Sequence, residues 1–208
     1  FFTASPGFTG NGGFVYQVTD SIGCLSTGSV DVTVSSPIAG NTAVRDCVGG
    51  SISGSLTGLV NSGFPPYTFG LTGAPVGGSA NVNGNGIYTF AADPGFTGDG
   101  GFTYQVTDSI GCLSTGSVDV DVSSPIANNT PINLCYNSAT AGDLSGLVTS
   151  GFPPYTFGLT GSPVGGSATV SSTGLYTFNT DTGFSGPGGF VYQVTDTNAC
   201  LSTGSVQI

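Results

Sequence analysis

Two residue types in this chain combine reactive chemistry with regular spacing, cysteine and aspartate. The cysteines are Cys24, Cys47, Cys112, Cys135 and Cys200, and all eleven acidic residues are Asp. Thiols can pair, and carboxylates can hold a hard cation or brace a turn. Little else is available. Arg45 is the only cation, and His, Lys, Glu, Met and Trp do not occur. Ser-His-Asp and Cys-His sites, Schiff-base lysines and P-loop lysines are therefore excluded. A net charge of −10 excludes an electrostatic nucleic-acid binder as well. No segment reaches the ~18 uninterrupted apolar residues of a membrane helix, and no basic, apolar leader opens the chain.

The reactive residues sit on a repeat. The string GFTGNGGFVYQVTDSIGCLSTGSV starts at Gly7 and returns with few changes at Gly95 and Gly183. The differences 95 − 7 and 183 − 95 are both 88. SGFPPYTFGLTG recurs at Ser62 and Ser150, and SSPIA at Ser35 and Ser123, with the same period. A unit of 88 residues is domain-sized rather than solenoid-sized. The organisation expected is the C-terminal part of one repeat over 1–36, a complete repeat over 37–124 and a nearly complete one over 125–208. Beginning in mid-repeat, the segment reads as a window on a longer tandem array, with short Ser-Ser-Pro linkers making the array a rod.

Those elements are strands. Phe102, Tyr104 and Val106 alternate with Thr103, Gln105 and Thr107, and Val118, Val120 and Val122 alternate with polar residues. A period of two means one buried face and one wet face. Gly and Pro clusters break the chain between such rows, which leaves no room for helices. In the complete repeat strands are expected near 42–48, 51–58, 66–72, 78–83, 86–91, 101–108 and 112–123. Seven short strands predict an all-β fold of tandem immunoglobulin-like β-sandwiches.

The string GIYTFAADPGFTGDGGFTYQVTDSIGCLSTGSVDVDV also resembles bacterial Ig-like and cadherin-like tandem repeats. There a G-x-Y-T-F hairpin, a P-G-F-x-G turn and an F-x-Y-x-V-x-D strand precede an S-x-V-x-V strand. The resemblance spans essentially the whole chain. It implies a large secreted or surface-attached bacterial protein whose repeats act as spacers, stalks or fibre subunits. Calcium-dependent members carry acidic clusters at the junctions, whereas Ser35–Asn41 and Ser123–Asn129 carry none.

On the repeat, Cys24, Cys112 and Cys200 share one position, and Cys47 and Cys135 share another. The simplest pairing is Cys47–Cys112 and Cys135–Cys200 within repeats, with the partner of Cys24 upstream of the segment. The alternative is Cys24–Cys47 across a junction. Either places the protein outside the cytoplasm, extracellular or at the cell surface. No zinc shell can be built from two cysteines per repeat without His. Asp20, Asp108 and Asp196 are the acids shared by all three copies. They are weak calcium candidates, and an Asx-type turn is the simpler reading.

The remaining motifs have ordinary readings. Asp181-Thr182-Gly183 matches an aspartic-protease string, but its counterparts Asp93-Pro94-Gly95 and Ser5-Pro6-Gly7 mark it as a turn. Glycine strings such as Gly98–Gly101 precede strands, so they read as bulges rather than phosphate loops. Gln17, Gln105 and Gln193 recur in register and read as cross-strand polar partners rather than ester cross-links. Asn128-Asn129-Thr130 is a lone glycosylation sequon, and the many Ser and Thr residues could carry glycans. Phe64, beside Pro65 and Pro66, could stack on a sugar ring or pack at a junction.

No Lys and few charges guard the strand edges, a composition that favours lateral association. The function expected is structural: tandem repeats forming a stalk or a filament that associates with copies of itself, head to tail and laterally. It uses no cofactor, no metal and no catalytic residue. An adhesin module that binds carbohydrate or a host or cell-surface protein through its loops is the alternative.

Overall fold

The computed structural model describes all 208 residues. An N-terminal hairpin comes first, with β1 (Gly10–Thr19) and β2 (Leu25–Val34). The first sandwich follows with β3 (Ile38–Ala39), β4 (Thr42–Asp46), β5 (Ser51–Ser55), β6 (Val60–Asn61), β7 (Thr68–Val76), β8 (Gly78–Val82), β9 (Ile87–Ala92), β10 (Gly98–Thr107) and β11 (Leu113–Val122). The second sandwich repeats the plan with β12 (Ile126–Ala127), β13 (Thr130–Pro131), β14 (Ala139–Asp143), β15 (Val148–Thr149), β16 (Thr156–Val164), β17 (Gly166–Val170), β18 (Leu175–Thr180), β19 (Gly189–Thr195) and β20 (Leu201–Gln207). The seven strands expected in the complete repeat are β4, β5 and β7–β11. The pairs β3–β6 and β12–β15, two residues per strand, are additional.

In the first sandwich one sheet runs β4-β11-β10-β7 and the other β5-β9-β8. The second sandwich has β13-β20-β19-β16 and β14-β18-β17. Strand β4 lies parallel to β11, from Thr42 opposite Val118 to Asp46 opposite Val122. Each sandwich therefore has an entry pole, where the chain arrives and the turn before the last strand sits. At the exit pole the first and last strands both end. Strand β13 pairs with β20 in the same parallel sense, Thr130 opposite Val206 and Pro131 opposite Gln207, and the Ile132 N–H donates to the Gln207 carbonyl at 2.7 Å.

The apolar rows meet between the sheets as alternation requires. Leu56, Phe90, Tyr104, Val106, Val118 and Val122 are fully enclosed in the first sandwich, and Leu144, Phe178 and Tyr192 in the second. Phe102 packs on Tyr88 with ring centroids 5.3 Å apart, and Phe190 packs on Tyr176 at the same distance. The phenols of Tyr104 and Tyr192 each donate a 2.7 Å hydrogen bond to a main-chain oxygen, of Gly40 and Asn128 respectively. Burial pushes both phenols above their ordinary range, so they remain donors. Gly101, at φ +135°, forms part of the irregular step where β10 shifts register on β7, and a Cβ there would run into the Val118 carbonyl.

The hairpin has the sequence of a core without the core. Phe14 is 42% exposed and Tyr16 46%, against 5% and 0% for Phe102 and Tyr104 at the equivalent positions. Strands β1 and β2 pair only with each other. A two-stranded ribbon with one apolar face open is marginal by itself.

Candidate functional site

The aspartate at each repeat-equivalent turn organises the entry pole. Asp196 Oδ1 accepts the N–H groups of Asn198 at 2.9 Å and Cys200 at 2.9 Å. Its Oδ2 accepts the N–H of Phe152 at 3.1 Å. Asp108 repeats the arrangement with Ile110 (3.1 Å), Cys112 (2.8 Å) and Phe64 (3.3 Å). Asp20 accepts from Ile22 and Cys24, and those amides hold its carboxyl below the ordinary range. Main-chain amides occupy both oxygens of Asp108 and Asp196 and the Oδ1 of Asp20, which is the Asx-turn arrangement. No group of three or more His, Cys, Asp or Glu side chains is placed to hold a metal ion.

These turns fix a cysteine in space, and the disulfide formed is Cys47–Cys200, with Cα atoms 5.5 Å apart. The expected pairs Cys47–Cys112 and Cys135–Cys200 do not form, and neither does Cys24–Cys47. Cys24, Cys112 and Cys135 are free. The reason lies in strand direction. Cys47 follows β4 and so lies at the exit pole, beside the end of β11, whereas Cys112 precedes β11 at the entry pole. Across the sandwich they are separated by about eleven strand residues, ~35 Å. The exit pole of the first sandwich instead meets the entry pole of the second, where the Asp196 turn presents Cys200.

The junction is bonded at several points. The Val48 N–H donates to Ser124 Oγ at 3.0 Å, and Ser123 N–H donates to the Asp46 carbonyl at 3.1 Å. Ser123 Oγ lies 3.0 Å from Ser150 Oγ and accepts the Gly151 N–H. Ser35 makes the same two contacts with Ser62 and Gly63, so the linker geometry repeats. Pro125 is buried against Gly151. The Arg45 guanidinium lies 4.9 Å from the Phe152 ring centroid, and Phe152 is buried there. Its counterpart Phe64 is half-buried. Asp46 is also buried at this pole; its Oδ1 accepts the Cys47 N–H while Oδ2 has no partner. Burial pushes this carboxyl up.

The stretch that differs most between the two sandwiches, Asn41–Gly54 against Asn129–Ala141, supplies Arg45, Asp46 and Cys47. Arg45, Phe152 and the linker hydroxyls were not singled out as junction residues by sequence. The signal available was an Asp-x-x-x-Cys turn and a Ser-Ser-Pro linker in phase with each other. Asp181-Thr182-Gly183 is a turn after β18, closed by the Phe184 N–H on the Asp181 carbonyl at 3.1 Å. Gln105 and Gln193 face Thr115 and Thr203 across their ladders. In the sequon, the Asn128 side-chain amide donates to the Leu147 carbonyl at 2.9 Å.

A search of curated protein sequences found no significant match. Among solved structures, the chain is similar to the extracellular domain of protocadherin GammaB4, at 14% identity and TM-score 0.33, over 95% of this chain and 39% of that one. It is similar to an endo-fucoidan hydrolase of glycoside hydrolase family 107, at 16% and 0.33, over 97% of this chain and 34% of that one. It is similar also to Drosophila N-cadherin EC1-4, at 12% and 0.29, over 99% of this chain and 59% of that one. The chain thus spans less than two thirds of the length of each. The family profile described as bacterial Ig domain matches residues 35–121 and again 123–208. Two matches in tandem cover most of the sequence, and the chain belongs to the bacterial Ig domain family.

Proposed function

We propose that this chain is a structural segment of an extracellular protein, a rod of tandem Ig-like domains that builds a stalk or a self-associating filament. Bacterial Ig domains are usually extracellular and in general non-catalytic. No helix is long and apolar enough to cross a membrane. The observation that carries the reading is the junction. A flexible linker would serve a tethered binding module, whereas here the linker, the Arg45–Phe152 contact and Cys47–Cys200 tie consecutive domains at three places. Closing a loop of 153 residues stabilises the folded pair by roughly 5 kcal/mol in the chain-entropy account. It also removes the hinge freedom that neighbouring domains otherwise have.

Small-angle scattering on the full chain tests this. The oxidised protein should give one elongated profile, and reduction or Cys47→Ser should broaden the distribution of interdomain distances. Equal flexibility with and without the bond would sink the rod.

A further inference from the structure

The two bonded cysteines differ in access and in the charge beside them. Cys47 is half-buried and Cys200 is buried, so a reductant arriving from solvent reaches the Cys47 sulfur first. Directly before Cys47 stands Asp46, at the inward-facing end of β4 and 6% exposed. Its Oδ1 accepts the Cys47 N–H at 2.8 Å, and its Oδ2 is the one buried side-chain polar atom of the chain without a partner. Three covalent bonds lead from that nitrogen to the sulfur, which keeps the carboxylate within roughly 8 Å of the disulfide.

No cation is placed to cancel this charge. Arg45 and Asp121 face each other across the ladder on the outer side of the sheet, and the Arg45 guanidinium lies on Phe152. Opposite Asp46 in the same ladder is Val122, which is apolar and fully buried. Gly50 backs the carboxylate so closely that a Cβ there would run into Oδ1. Asp196, on the Cys200 side, is another acid, with its oxygens already engaged by three amides. The fold does not require an acid at this position, because the second sandwich carries Leu134 there.

We propose that Asp46 guards the junction disulfide: ionised, its buried carboxylate repels an incoming thiolate and slows reduction of Cys47–Cys200, and protonated it lets the thiolate in. The inference rests on the rod reading and deepens it, because it states when the tie between domains is released. In the exchange a small thiolate attacks the Cys47 sulfur, the Cys47–Cys200 bond breaks, and Cys200 leaves as a thiolate that takes a proton from water. A second small thiolate attacks the reagent sulfur of the mixed disulfide and releases Cys47, which is protonated in turn. Two small thiolates lose two electrons and become one disulfide, and the protein gains two thiols. The first transition state spreads one negative charge over three sulfurs. A second negative charge beside it, in a poorly solvated pole, raises its energy. Burial pushes the Asp46 carboxyl up, so the repulsion is relieved in milder acid than an ordinary aspartate would need.

The test reduces the full oxidised chain with a small uncharged selenol, a thiol analogue that stays ionised in mild acid, from pH 4 to pH 8. Alkylation and mass mapping of Cys47 and Cys200 give the rate constant per reagent anion. In the native protein it should rise about fivefold as the pH falls. Asp46→Asn and Asp46→Leu, the second copying Leu134, should be fast and flat across the range. A flat native profile overturns the proposal even if the variants are faster, since a loosened pole alone would do that. A rise that persists in the variants overturns it as well, because another group then carries it. If neither variant folds, the native profile still decides. Scattering on the same samples separates the two readings. Interdomain distances that broaden on reduction with a flat native profile mean that only the guard fails, whereas distances unchanged after full reduction mean that the rod fails whatever the rates.

Discussion

Asp46 and Asp196 are both buried acids, and they flank the same junction, beside the two bonded cysteines. Asp196 has three main-chain amides on its two oxygens, so its charge is compensated where it lies. Asp46 has one amide on Oδ1 and nothing on Oδ2, and burial pushes its carboxyl above the ordinary value of 3.8. The sign follows from linkage. A raised folded-state value means that the stability tied to this group is complete below the unfolded value and is lost as pH rises through the folded one. Asp20 and Asp143, held down by main-chain amides, act in the opposite sense and lose their contribution as pH falls. Asp46→Asn should therefore raise the thermal midpoint at pH 7. It should also remove the part of the stability gain that the native protein shows on acidification toward pH 4. Thermal melts at pH 4, 5.5 and 7 measure it, and an unchanged difference between variant and native protein across that range would contradict the assignment.

At the scale of elements, a small residue admits the first strand of each sandwich. A Cβ at Gly116 would meet the Gly40 carbonyl and the Tyr104 ring, and one at Gly204 would meet Tyr192 and the Asn128 carbonyl. These are the two groups joined by the buried phenol bond, so Gly116→Ala should force them apart. A loss of about 3 kcal/mol is expected, from overpacking plus a weakened buried hydrogen bond. Denaturant unfolding checks it, with Gly70→Ala as control because a Cβ at Gly70 meets nothing. The strands themselves were legible in the sequence because Phe102-Thr103-Tyr104-Gln105-Val106 can satisfy only one register with one face buried. The disulfide was not. Its partners depend on which pole each cysteine occupies, and that is set by β4 running parallel to β11, a pairing to which the local pattern of 42–48 is blind. The junction contact of Arg45 was hidden for the same reason, since it joins residues far apart in sequence across two domains.

The whole molecule carries a single site for a trypsin-like protease, Arg45. That residue lies within β4, opposite Asp121 in the parallel ladder, with its guanidinium on Phe152. A protease needs the strand in an open, extended state, so cleavage should follow unfolding rather than local motion. Native protein should resist trypsin, and partly denatured protein should give two fragments. These fragments should separate without reductant, because Cys47 and Cys200 both lie beyond the cut. Cutting of the native chain at the rate of an unstructured peptide would contradict the ladder around Arg45.

The Cys47–Cys200 bond also decides what happens when the two ends are pulled. Tension entering through β4 reaches Cys47, crosses the sulfur bridge to Cys200 and leaves along β20. Most of both sandwiches lies off this load path. The bridged span of 153 residues represents roughly 500 Å of contour that force cannot pay out while the bond holds. Such a tether stretches little before covalent rupture, and reduction would turn the same chain into an extensible spring.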